Sequence, residues 1–123
     1  VTVWGRLAAH VTLWRWLLAI AMLALLVLSL MPASVSVPST GWDKSNHALG
    51  FAALAFLAHW ARPASIPVAL LGLFGYGALI EALQSLTPDR LAEWGDLWAD
   101  GVGLMIGAVL ASMVQRLSVV RSS

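Results

Sequence analysis

Cysteine is absent from this 123-residue chain, which excludes a disulfide framework and thiolate metal ligation. Charge is scarce: 11% of residues are Asp, Glu, Lys or Arg, against 60% hydrophobic, and the mean hydropathy is +0.85. A soluble domain of this size needs far more polar surface, so the expected solvent of most of the chain is lipid. The net charge is +1, and its few cations are dispersed along the chain. That pattern lacks the basic stripe nucleic acid requires and gives no nucleic-acid partner. Acids are missing from both ends. All six carboxylates, Asp43, Glu81, Asp89, Glu93, Asp96 and Asp100, fall between residues 43 and 100.

What fills the rest is four apolar stretches. Leu13 to Met31 is 19 residues broken only by Arg15, close to what a hydrocarbon core of about 30 Å requires at ~1.5 Å rise per residue. A second stretch runs from Lys44 to Arg62, where Pro63 removes a backbone donor and disfavours helix at the residue before it. A third starts at Pro67, suited to a first helical turn, and reaches Leu86 through Gly72, Gly75 and Gly77, which lipid tolerates better than water. The fourth runs from Asp96 to Val114. Thr87-Pro88-Asp89-Arg90 has the composition of a turn with proline at its second position. The expectation is all-α: one domain over 1–123, an integral membrane four-helix bundle with spans at 13–31, 44–62, 67–86 and 96–114. Arg6, Arg15 and the following apolar run, ending in Pro32-Ala33-Ser34, also resemble a secretory signal. The run is long for such a peptide, so the first segment reads as a retained span.

Orientation follows from the cations. With the N-terminus inside, Arg6, Arg15, Arg62, Arg116 and Arg121 lie on the cytoplasmic side and Lys44 and Arg90 on the outer side, as the positive-inside rule asks. Trp14, Trp16 and Trp60 then mark the inner interface and Trp42, Trp94 and Trp98 the outer one, an aromatic belt. Both termini are expected inside, in a multi-pass protein of the bacterial inner membrane. Every acid reaches the outer face.

Helical spacing sorts the polar residues. Asp43, Lys44 and His47 share the upper end of the second helix, and Glu81 and Gln84 share the last turns of the third. Asp96 and Asp100 share the first turns of the fourth, on a face that continues as Ala99, Gly103 and Gly107, small enough for close helix approach. Glu81 and Asp100 lie about a turn inside the apolar boundary, where an ionisable group is a functional candidate. The plainer readings are helix capping for Asp43 and Asp96, a structural ion pair for Glu81 with Lys44 or Arg90, and solvated loop acids at Asp89 and Glu93. His10 and His59 read as interfacial.

Asp43-Lys44-x-x-His47, then Glu81-x-x-Gln84, Arg90 and Asp96-x-x-Ala99-Asp100-x-x-Gly103-x-x-x-Gly107 resemble the VanZ-like family of small bacterial membrane proteins, over roughly residues 15 to 115. One position departs: the family usually carries Asn where this chain has Asp100. The resemblance implies an envelope protein, and the family's founding member is linked to reduced susceptibility to the glycopeptide teicoplanin. It implies no settled reaction.

Two function classes stay open. One is an enzyme acting at the outer leaflet on a lipid headgroup or a lipid-linked cell-wall precursor. His47, Glu81 and Asp96 are its catalytic candidates, with Asp43, Lys44, Gln84, Arg90 and Asp100 binding substrate. The other is a non-catalytic binder of lipid or antibiotic, or an envelope assembly factor. The N-termini of the second and fourth helices favour an anion, as do Lys44 and Arg90, while six carboxylates oppose it. Protonation, internal ion pairs or a divalent metal joining acids to a phosphate each resolve that conflict. The metal and cofactor are left unknown because one His with several carboxylates lacks a diagnostic ligand spacing. Membrane lipids are the expected partners, and the sequence leaves the oligomeric state open.

Overall fold

A computed structural model describes residues 3–32, 34, 39–88 and 93–122, with 120–122 by backbone alone. The described residues form five helices and no strand: α1 (Val3–Ala8), α2 (Val11–Leu30), α3 (Asp43–Trp60), α4 (Ile66–Gln84) and α5 (Trp94–Ser122). Three of them, α2, α4 and α5 as far as Val119, are long and apolar enough to cross a membrane. The surface is apolar to match. Leu23, Leu71, Met105 and Leu117 are each more than 60% exposed, which in water would be an aggregation liability and in lipid is ordinary.

α3 is not apolar enough for that group, because its first turns carry Asp43, Lys44, Ser45, Asn46 and His47. Its position explains the tolerance. It packs against α2, α4 and α5, and its stripe of His47, Phe51, Leu54, Ala55 and Ala58 is buried at helical spacing. A helix surrounded by other helices meets little lipid, so its polar end is not expelled by hydropathy.

The α3–α5 seam is the closest approach. Gly103 and Gly107 face the backbone of Ala48 and Ala52, and a Cβ at either glycine would run into the carbonyl group opposite. In lipid, where apolar burial supplies little drive for association, such backbone-to-backbone packing holds helices together. On α5 the buried face is Asp96, Ala99, Asp100, Gly103, Leu104, Gly107 and Ala111. The two acids therefore belong to the same seam as the small residues.

The remaining joints have local causes. Ser65 is the N-cap of α4 and accepts from the Val68 amide at 3.4 Å, with Pro67 in the first turn. α3 stops at Ala61, and Arg62 turns left-handed with φ 51° before Pro63. The Arg15 Nε donates to the Ala61 carbonyl at 3.0 Å, so the one cation inside the first apolar run satisfies a free helix-end acceptor. Tyr76 donates from α4 to the Met22 carbonyl of α2 at 2.5 Å.

Several expectations shift in detail. α5 continues past Arg116, because a basic residue ends a hydrophobic run without ending a helix. Trp14 and Trp60 are buried and pack edge to ring with Trp4, whereas Trp16, Trp42, Trp94 and Trp98 stay exposed. His59 reaches Gln115 of α5 at 2.9 Å, a tie between helices as well as an interfacial position.

Candidate functional site

His47 is the centre of the polar end, buried to 6% exposure between α3, α4 and α5. Its Nδ1 lies 2.8 Å from Oδ1 of Asp100, which is fully buried. An ionised carboxylate only accepts, so Nδ1 carries the hydrogen and fixes the ring. The other face of the ring looks at three carboxylates from three helices: Nε2 is 4.0 Å from Asp43 Oδ2, 3.9 Å from Glu81 Oε1 and 3.9 Å from Asp96 Oδ2. None of these is a hydrogen bond by distance.

Each acid has its own support. Glu81 takes the Glu93 amide on Oε2 at 3.1 Å, leaving Oε1 buried without a hydrogen-bond partner. Asp96 is 1% exposed, and its Oδ1 also lacks one, with the Lys44 ammonium 3.7 Å away. Asp100 Oδ2 faces Gly77 of α4, where a Cβ would come within 2.5 Å of it. Asp43 is the exposed member, its side chain 61% accessible. It is the first residue of α3 and the N-cap position belongs to Trp42, without a side-chain cap bond. Asp96 points inward from the first turn of α5, so neither acid is explained by capping alone.

Lys44 forms its short pair with Glu93, at 2.8 Å, and arches over Gly95. That hydrogen bond, with the ammonium charge behind it, holds the Glu93 carboxyl below its ordinary range. Glu93 is thus a partner of both Lys44 and Glu81, a role its loop position did not signal. Gln84, 3% exposed, donates to the Ser29 carbonyl of α2 at 2.9 Å and keeps its Oε1 unpaired. Asn46, also unforeseen, gathers the entering loop by accepting from the Thr40 amide and hydroxyl, each at 2.8 Å. Arg90 and Asp89 lie outside the described residues.

Counting Asp43, Glu81, Asp96 and Asp100 against Lys44, with His47 neutral, gives −4 + 1 = −3 formal charges. Carboxylates at this density in apolar surroundings require protons or a cation among them. The arrangement can hold a cation, or move a proton between an imidazole fixed by one acid and the acids facing it. On the face of α5 turned away from Asp96 and Asp100, α4 and α5 leave an apolar groove of about 990 Å³ that runs from Trp94 and Trp98 along Phe74 and Met105 to Pro67, lined by none of the cluster's side chains.

No curated protein and no solved structure matches the chain. A family model does: VanZ/LLP1 aligns with residues 8–115, a range holding every side chain of the cluster, the whole of α2, α3 and α4, and α5 as far as Gln115. Taken with the apolar, lipid-suited surface, that match establishes this membrane protein as a member of the VanZ/LLP1 family.

Proposed function

We propose that the protein is a multi-pass protein of the bacterial inner membrane with its polar cluster at the outer face. There it binds or acts on the phosphate-bearing headgroup of an anionic lipid or lipid-linked cell-wall precursor. The observation that carries this reading is the position of His47, Glu81 and Asp96, a buried ionisable cluster at one end of helices whose outer surface is apolar. A headgroup at the cluster with its tail along the lipid-facing surface would use both. The orientation rests on the cations: Arg6, Arg15, Arg62, Arg116 and Arg121 belong to the opposite end, both termini lie inside, and the positive-inside rule puts that end in the cytoplasm. Within this reading His47 and Glu81 exchange protons with the bound group, Asp100 positions His47, and Lys44 offers the phosphate a cation. A contribution to glycopeptide resistance of the teicoplanin type would follow from altered handling of the precursor lipid.

The test is to replace His47, Glu81 and Asp96 one at a time by Ala at matched membrane abundance, and to follow teicoplanin susceptibility together with turnover of labelled envelope lipids. The catalytic reading expects loss of resistance with an accumulating lipid. Loss of resistance without any change in lipid turnover would favour a non-catalytic binder of lipid or antibiotic, or an envelope assembly factor. Retention of both in all three variants would exclude a role for the cluster.

A further inference from the structure

We propose that Asp43, His47 and Asp96 form a divalent-cation site, with Glu81 beside it and Asp100 as the residue that positions His47. One ligand atom from each of the first three can be chosen so that all lie within 4.8 Å of one another, a spacing that small inward movements close around one ion. Asp43 and His47 stand one helical turn apart on α3, and Asp96 comes from the first turn of α5, so the donor set is held by two helices packed backbone to backbone.

Proximity of acids alone would not make a site. The second observation is the unmet bonding of a buried atom aimed at the same point. Glu81 is 91% buried, and its Oε1, without a hydrogen-bond partner, is the atom facing His47 Nε2 at 3.9 Å. Asp96 is 99% buried and turns Oδ2 to the same nitrogen at 3.9 Å, its unpartnered Oδ1 lying toward Lys44. With Nδ1–H committed to Asp100, the neutral ring turns the Nε2 lone pair toward the carboxylates. With the three acids ionised, four acceptors converge with no hydrogen to share. A cation satisfies all of them at once, and a water molecule, with two hydrogens, cannot.

The His47–Asp100 bond is the outer-shell pairing that orients metal-binding histidines and raises their basicity. It gives the Asp at position 100 a function: an acceptor on both oxygens holds the donor tautomer without ambiguity, whereas an amide can present either end. Imidazole nitrogen with carboxylate oxygens is a donor set for zinc or manganese rather than for magnesium or calcium. The exposed Asp43 leaves the ion open to the membrane face, where it would lower the −3 charge by two and give a phosphate oxygen a place to bind. The cation site rests on side-chain geometry alone and deepens the headgroup reading, with His47 then a ligand to the ion and Glu81 the group left to exchange protons.

The experiment uses the full chain in nanodiscs of neutral lipid, free of any metal-affinity tag, titrated with Mn²⁺ alone. Electron paramagnetic resonance should show one ion taken up per chain, displaced by Zn²⁺, with nitrogen hyperfine coupling from one imidazole. Asp96→Asn and His47→Gln should weaken binding by about tenfold or more, and Asp100→Asn by about tenfold, with Gln115→Ala, at the other end of α5, unchanged. No saturable uptake by the wild type, or uptake without nitrogen coupling, would overturn the proposal, and both are read on unaltered protein. Because no anionic lipid is present, a negative result refutes the cation and leaves headgroup binding to its own test.

Discussion

Gly103→Ala should be among the most damaging single-methyl additions in this protein. A Cβ at Gly103 would sit 2.9 Å from both the carbonyl carbon and the Cα of Ala48, and closer still to the carbonyl oxygen. Ordinary contact begins near 3.4 Å, so α3 and α5 must separate by at least 3.4 − 2.9 = 0.5 Å, and the obstacle is backbone that no rotamer change can remove. Overpacking of this kind costs about 1–3 kcal/mol. His47 adjoins Ala48, and Asp100 is one turn from Gly103, so the same displacement lengthens their 2.8 Å bond to about 3.3 Å, the long edge of the useful range. Weakening a charged hydrogen bond adds up to ~3 kcal/mol, for a total of about 1–6 kcal/mol before the ~1 kcal/mol of helix propensity that alanine returns. The assay is reversible unfolding in mixed detergent micelles followed by tryptophan fluorescence. Gly75→Ala is the control, since a Cβ there meets nothing within 4 Å, and it should be neutral or stabilising by up to about 1 kcal/mol. Equal midpoints for the two variants would refute the close-packed seam.

Lys44→Met should return the Glu93 carboxyl to its ordinary range, read by carboxyl-carbon NMR. In the native protein that group titrates low, so the pair's contribution is present above the unfolded carboxylate range and fades as pH falls through the folded value. An unchanged Glu93 titration would remove Lys44 as the cause. Tyr76→Phe deletes the bond to the Met22 carbonyl and should cost about 1 kcal/mol in the same micelle assay; no loss would show that the hydroxyl finds an equal partner elsewhere. A periplasmic reporter enzyme fused after Arg121 should be inactive, and activity there would reverse the proposed orientation.

Much of the architecture was legible because hydropathy and helical spacing are local signals. Leu13 to Met31 anticipates α2, and Pro63 and Pro67 bracket the α3–α4 turn where the structure places it. The joint occurrence of Asp43, His47, Glu81, Asp96 and Asp100 was visible for the same reason: each lies at the polar end of a helix. Partner choice was not visible, because it depends on rotation and depth between helices far apart in sequence. Nothing local distinguishes Lys44 bound to Glu93 from Lys44 bound to Glu81, or says that Glu93 also gives its amide to Glu81. Trp14, Trp16 and Trp60 fit a belt by depth, yet rotation of α2 and α3 turns Trp14 and Trp60 inward. Gln84 reads as a substrate ligand from its spacing to Glu81, and its bond to Ser29 adds a structural use that only the α2–α4 contact discloses. Asp100 carried the clearest hint, as the one acid where the family pattern has an amide, and the hydrogen bond to His47 is its counterpart in the structure.

The central claim, that the cluster receives an anionic lipid headgroup, is tested most directly by photocrosslinking. An anionic lipid with a diazirine in its headgroup would be reconstituted with the protein, illuminated, and the adducts mapped by mass spectrometry. The account predicts adducts on the residues around the cluster, within 43–47 and 93–100, suppressed by excess unlabelled lipid. Adducts confined to the opposite end, near Arg62 and Arg116, would contradict it.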